Sequence, residues 1–213
     1  MKIKVCGMKD KDNIDQLVRL NPDYIGFIFH PQSKRFVDKI DQDLLTLIPD
    51  RIKKVGVFVD EPLNSIVEKY LRNKINILQL HGNEIPEYCF ELKKLKIPII
   101  KTFKINQCFD FNKTEEYGPC CDYFLFDTAG AKAGGNGTKF NWELLNQYEG
   151  ARPFFLSGGI GPKDLLSILR ISHPKFFGID VNSGFEIGPG KKDIGKLGIF
   201  INELRQSQIN TNF

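Results

Sequence analysis

Lys2-Ile3-Lys4-Val5-Cys6-Gly7 opens the chain as a short apolar strand, because Ile3 and Val5 are β-branched and a glycine stops the run before the polar, helix-starting Met8-Lys9-Asp10. Cys6 therefore falls at the strand's C-terminal end. In sheets of parallel strands, open or closed, ligands and catalytic groups collect at that end, since the loops leaving it vary without disturbing the core. A free cysteine is equally often a small buried hydrophobe, so position alone leaves both readings of Cys6 open.

Outward from this strand the same rhythm repeats. Apolar runs at 24–29, 55–59, 77–80, 98–103, 123–126, 154–156 and 176–181 bring the strand count to eight. Helical spacing follows each one: 10–20, 44–48, 63–71, 86–95, a short and poorly patterned stretch near 109–117, then 142–148, 163–169 and 194–204. Strands too apolar to have a solvated face argue for a parallel sheet covered by helices. Eight of them favour closure into an α/β, single-domain (β/α)8 TIM barrel spanning residues 1–213, with a doubly wound open sheet as the alternative.

Composition narrows the function classes. Hydrophobic residues at 41% and charged residues at 26% are ordinary for a soluble globular protein. No segment reaches the roughly 18 consecutive apolar residues of a membrane span. The amino terminus enters a strand without the features of a secretory signal, so the expected location is cytoplasmic. Cys6, Cys89, Cys108, Cys120 and Cys121 are odd in number, lack C-x-x-C spacing and have only three histidines for company, so all read as free thiols with no metal site. A net charge of +4 on scattered lysines suits a small anionic substrate, whereas a nucleic-acid partner would call for a dense basic run.

In a barrel, the loops after the strands point at one pocket. After the second strand, His30-Pro31-Gln32-Ser33-Lys34-Arg35 carries an arginine whose planar fork can clamp a carboxylate. His81 ends the fourth strand and can position a substrate. Asp127 ends the sixth, where a carboxyl at the edge of an apolar run is placed to act as a general acid, or simply to cap a turn. The glycine-rich stretch 129–139 reads as a lid; it lacks the lysine and hydroxyl residue of a P-loop. Ser157-Gly158-Gly159-Ile160-Gly161 and Asp180-Val181-Asn182-Ser183-Gly184 follow the last two strands, which is where barrels of this kind hold phosphate on backbone amides.

Taken in order, these motifs resemble the phosphoribosylanthranilate isomerase family of tryptophan biosynthesis. Lys4-Val5-Cys6-Gly7, Gly26-Phe27-Ile28-Phe29 with Ser33 and Arg35, Gln79-Leu80-His81-Gly82, Asp127, Gly134-Gly135-Asn136-Gly137 with Phe140 and Trp142, and the two glycine loops with Glu186 and Pro189-Gly190-Lys191-Lys192-Asp193 carry the resemblance nearly end to end. Three positions depart from the family pattern: Lys34 for proline, Asn136 for threonine and Asn182 for serine. The resemblance implies a cofactor-free Amadori rearrangement of N-(5-phosphoribosyl)anthranilate, with Asp127 as the acid and Cys6 as the base. It further implies Arg35 on the anthranilate carboxylate, Gly158, Gly159, Ser183 and Gly184 around the phosphate, and Asp180 and His81 as further substrate contacts. A phosphosugar is then the only partner expected, with the chain a monomer or weak homodimer.

Rivals remain at this stage. The related sugar isomerase of histidine biosynthesis performs the same rearrangement with two aspartates, and Cys6 argues against it. Indole-3-glycerol phosphate synthase would need a lysine and glutamates that have no counterparts here. A non-catalytic phosphosugar-binding barrel would need the glycine loops and Arg35 but neither Cys6 nor Asp127. A thiol redox protein would need a second cysteine spaced to resolve Cys6.

Overall fold

The structure, a computed structural model, describes residues 1–128 and 140–210, the last two of these by backbone alone. Closure of the sheet is made by its first strand. In β1 (Lys2–Val5), Lys4 and Val5 pair with Tyr24 and Ile25 of β2 (Tyr24–Ile28) on one side and with Asp180 and Val181 of β8 (Phe176–Val181) on the other. Between them run β3 (Lys53–Phe58), β4 (Ile77–Leu80), β5 (Ile99–Ile105), β6 (Tyr123–Thr128) and β7 (Phe154–Leu156), every neighbour parallel, in a closed barrel of eight.

Two apolar clusters divide the wall. Tyr24, Val55, Ile77, Ile100, Leu125 and Phe155 fill the barrel interior. Residues of the opposite parity, such as Ile3, Val5, Ile25 and Phe27, face the helices in a larger cluster. The alternation decides the site: on β1 it turns Lys4 and Cys6 to the same inner side.

Around the wall lie α1 (Lys11–Arg19), α2 (Gln42–Leu47), α3 (Leu63–Arg72), α4 (Pro86–Lys94), α5 (Leu165–Leu169) and α6 (Ile194–Asn210). α1 starts where the Asp10 carboxylate accepts the Asn13 amide at 2.8 Å and buries Ile14 and Leu17 one turn apart. Two expected helices are 3₁₀ turns instead, Phe111–Tyr117 and Trp142–Gln147. Phe111 and Thr114 are the buried pair of the first, at the three-residue repeat of that geometry, and Gly118-Pro119 stops it before an α-helix can gather enough apolar residues to define a face. A hairpin absent from the sequence reading, β9 (Glu186–Gly188) with β10 (Lys191–Lys192), folds back after β8. Among the described residues no helix is long and apolar enough to cross a membrane. The expected lid at 129–139, with Asn136, lies outside the described residues.

Candidate active site

Cys6 follows directly on β1, its amide donating to the Val181 carbonyl of β8 at 2.9 Å, and its thiol is buried at the mouth of the barrel. Gly26 on β2 makes room for it: a Cβ there would stand 2.7 Å from Cys6 Sγ. One pleat below, the fully buried Lys4 donates from Nζ to Asp180 Oδ1 at 2.8 Å, and its charge also acts on the Cys6 thiol. Burial disfavours the Lys4 ammonium, but the charges of Asp180 and Cys6 outweigh burial and raise its pKa. Burial likewise pushes Asp180 up against the pull of Lys4, and with an ammonium at 2.8 Å the pair is an ion pair. The Cys6 thiol is also pushed above its ordinary value by burial, opposed by Lys4 and, more weakly, by Lys192.

Across the mouth, Asp127 stands next to last in β6 with its side chain 23% exposed, open to a ligand yet backed by the wall. His81 Nε2 stands 3.5 Å from Asp127 Oδ2. Gln79, one pleat below on β4, lies with its side-chain amide 3.0 Å from His81 Nδ1 and hydrogen-bonds the ring on the side away from Asp127. The charges of Asp127 and His81 both act on Asp180, so the groups form one electrostatic chain from Cys6 through Lys4 and Asp180 to Asp127.

Arg35 takes a position the sequence did not foresee. Its Nε and Nη2 grip Glu186 at 2.8 and 2.6 Å, and Lys192 Nζ bonds the same carboxylate at 2.7 Å. Burial pushes Glu186 up, yet the bonds from Arg35 and Lys192 prevail and hold its carboxyl below the usual range. Only the Nη1 end of the fork is left for a ligand among the described residues. Gly7, at φ +73, turns the chain beneath: a Cβ would sit 2.5 Å from Arg35 Cδ and 2.7 Å from Asn182 Oδ1. The Asn182 departure is put to use, its Oδ1 accepting from Lys192 Nζ at 2.7 Å. Lys34 leaves no gap either, because Ser33 Oγ accepts the Arg35 amide at 3.1 Å and fixes the loop that a proline would have stiffened.

The two glycine loops meet. Gly158 and Gly159 have φ of +93 and +69, and a side chain on Gly158 would overlap Thr128 at the end of β6. Gly184, in the short 3₁₀ turn Ser183–Phe185, packs so closely on the Ile160 carbonyl that no Cβ fits. Ser183 and Gly184 are exposed at the rim. Of the residues expected in the site, Cys6, Asp127, His81 and Asp180 are thus linked to one another, Arg35 borders Cys6 through Gly7, and the glycine pairs line the β6–β8 side.

Lys4, Gln79, Glu186 and Lys192 were missed as site members. A lysine inside an apolar strand, two residues before Cys6 and so on its face, was the readable signal. Glu186 and Lys192 stand among the residues that carry the family resemblance, but their meeting with Arg35 was not readable, because it depends on the β9–β10 hairpin.

A family model described as N-(5'phosphoribosyl)anthranilate (PRA) isomerase matches residues 3–203. The chain is 46% identical over 213 residues to the N-(5'-phosphoribosyl)anthranilate isomerase of Parabacteroides distasonis, covering 99% of this chain and 96% of the relative. The phosphoribosyl anthranilate isomerase of Thermus thermophilus superposes with a TM-score of 0.83 at 26% identity, covering 97% of this chain and 99% of that one. A phosphoribosyl anthranilate isomerase solved with reduced 1-(o-carboxyphenylamino)-1-deoxyribulose 5-phosphate superposes at 0.77 with 28% identity, covering 97% and 99%. A family match over residues 3–203, together with 46% identity to a relative across nearly the whole chain, makes this chain a member of the N-(5'-phosphoribosyl)anthranilate isomerase family.

Proposed function

We propose that the chain converts N-(5-phosphoribosyl)anthranilate to 1-(2-carboxyphenylamino)-1-deoxyribulose 5-phosphate, with Asp127 as general acid and Cys6 as general base. The observation that carries the reading is the chain of groups Cys6, Lys4, Asp180 and Asp127 spanning the mouth from β1 to β6. Asp127 gives its proton to the furanose oxygen as the C1–O bond breaks, leaving a Schiff base to the anthranilate nitrogen. Cys6 thiolate takes the C2 proton, the C–H electrons form the C1=C2 bond and the C=N pair returns to nitrogen. The resulting enolamine gives up its C2 hydroxyl proton as it becomes the C2 ketone, with a proton added at C1.

The electrostatics fit this order. Burial holds the resting Cys6 as a thiol, and the cationic Schiff base forms beside it before the thiolate is needed, adding to the pull of Lys4 and Lys192. His81, 3.5 Å from Asp127, positions that carboxyl. Arg35, through the end of its fork not held by Glu186, takes the anthranilate carboxylate. Amides of Gly158, Gly159, Ser183 and Gly184 hold the phosphate, and Asp180 a sugar hydroxyl. No cofactor enters this scheme, and the chain acts as a cytoplasmic monomer or weak homodimer. The test is loss of anthranilate fluorescence from freshly generated substrate, without metal or nucleotide. Turnover is the expected result, and a silent assay with a folded enzyme would overturn the reading.

A further inference from the structure

Three cysteines that the reaction does not use converge outside the barrel. Cys89 lies in α4, and Cys120 and Cys121 lie between the Phe111–Tyr117 turn and β6; all three are fully buried. Cys120 Sγ and Cys121 Sγ are 3.9 Å apart, and the three sulfurs lie within 4.8 Å of one another. Neighbouring residues on a chain ordinarily send their side chains apart. Here the Tyr117 carbonyl accepts both the Cys120 and the Cys121 amides, at 3.2 and 3.0 Å, and the tight turn delivers both sulfurs to the Cys89 side.

We propose that Cys89, Cys120 and Cys121 form a binding site for one soft, thiophilic cation, and that the donor set selects Cu(I). The centre of a sulfur triangle of this size is about 2.3 to 2.8 Å from each corner, against a metal–thiolate bond of about 2.3 Å, so small side-chain movements complete the site. The candidate donors are sulfur alone, without histidine or carboxylate. That set favours Cu(I), whereas structural zinc sites take four ligands. The Arg152 charge acts on Cys120, and the buried Arg152 Nε has no hydrogen-bond partner among the described residues. Binding forms three Cu–S bonds and releases the three thiol protons to solvent, with copper remaining Cu(I) throughout. Cys121 precedes β6 and Asp127 lies near its far end, about 20 Å along an extended chain, so the bound ion leaves the reaction untouched.

The test is a competition between the reduced full-length chain and a chromophoric Cu(I) chelator under ascorbate. One Cu(I) per chain should be retained, and retention should survive Cys108→Ser and Cys6→Ala. Cys89→Ser and Cys121→Ala should each weaken binding by about 100-fold or more, since loss of a supporting partner alone reaches that range. Because both substitutions are buried, X-ray absorption on the loaded wild-type chain provides a check that needs no variant. Three sulfurs at about 2.3 Å are expected. A two-sulfur or nitrogen-containing shell, equal retention by Cys89→Ser, no retention by wild type, or displacement of the copper by equimolar Zn(II) would overturn the assignment.

Discussion

Lys4 Nζ and Asp180 Oδ1 meet at 2.8 Å across the seam where β1 and β8 close the barrel, at paired register positions and almost wholly out of solvent. The contact joins the first strand to the last and sets the charge beside Cys6. Removing one partner of a buried pair strands the other, which typically costs about 3–5 kcal/mol. Lys4→Met should therefore lower stability by about that much in urea unfolding, and adding Asp180→Asn should restore part of it. Equal stability of Lys4→Met and wild type would show that the pair is not closed in solution.

Lys4 and Lys192 together set the pH dependence. A general base works deprotonated, so turnover climbs as pH rises through the Cys6 pKa, which burial holds above the ordinary thiol value while Lys4 and Lys192 draw it back. Lys192→Met removes one of those positive charges, so the rising limb of kcat against pH should move to higher pH. A limb that stays in place, or moves to lower pH, would mean that Lys192 does not act on the base.

Acid stability should report on Glu186. Its pKa in the folded chain lies below the unfolded value near 4.5, so its contribution is present above that pH and is lost as pH falls from there through the folded value. Thermal melts from pH 6 downward should show wild type losing stability below about pH 4.5 more steeply than Glu186→Gln. Parallel curves would indicate that Arg35 and Lys192 do not depress this carboxyl.

Gly26 tests how finely the thiol is placed. An alanine Cβ would come within 2.7 Å of Cys6 Sγ, so the sulfur must move. Gly26→Ala should cost about 1–3 kcal/mol from overpacking and up to about 100-fold in kcat from misplacement of the base. Unchanged kcat in a folded variant would show that the sulfur has latitude.

The barrel was legible because its eight strands are short apolar runs separated by polar stretches, and the site was legible where a reactive residue ends such a run, as Cys6, His81 and Asp127 do. Strand parity already held the clue to Lys4. What the chain did not disclose depends on long-range closure: Asp180 reaches Lys4 over 176 residues and Arg35 reaches Glu186 over 151, distances at which no local spacing carries information. The Phe111–Tyr117 segment reads as a helix because an i, i+3 pair such as Phe111 and Thr114 suits both geometries. The three-thiol cluster was hidden for a related reason, since Cys89 is brought to Cys120 and Cys121 by packing and not by a C-x-x-C spacing.

The division of labour between Cys6 and Asp127 comes down to turnover set beside binding. Cys6→Ser and Asp127→Asn should each lose about 100- to 10,000-fold in kcat, the usual worth of a positioned acid or base, while still binding the reduced product analogue with near wild-type affinity. Wild-type-like kcat in either folded variant would remove that residue from its assigned role.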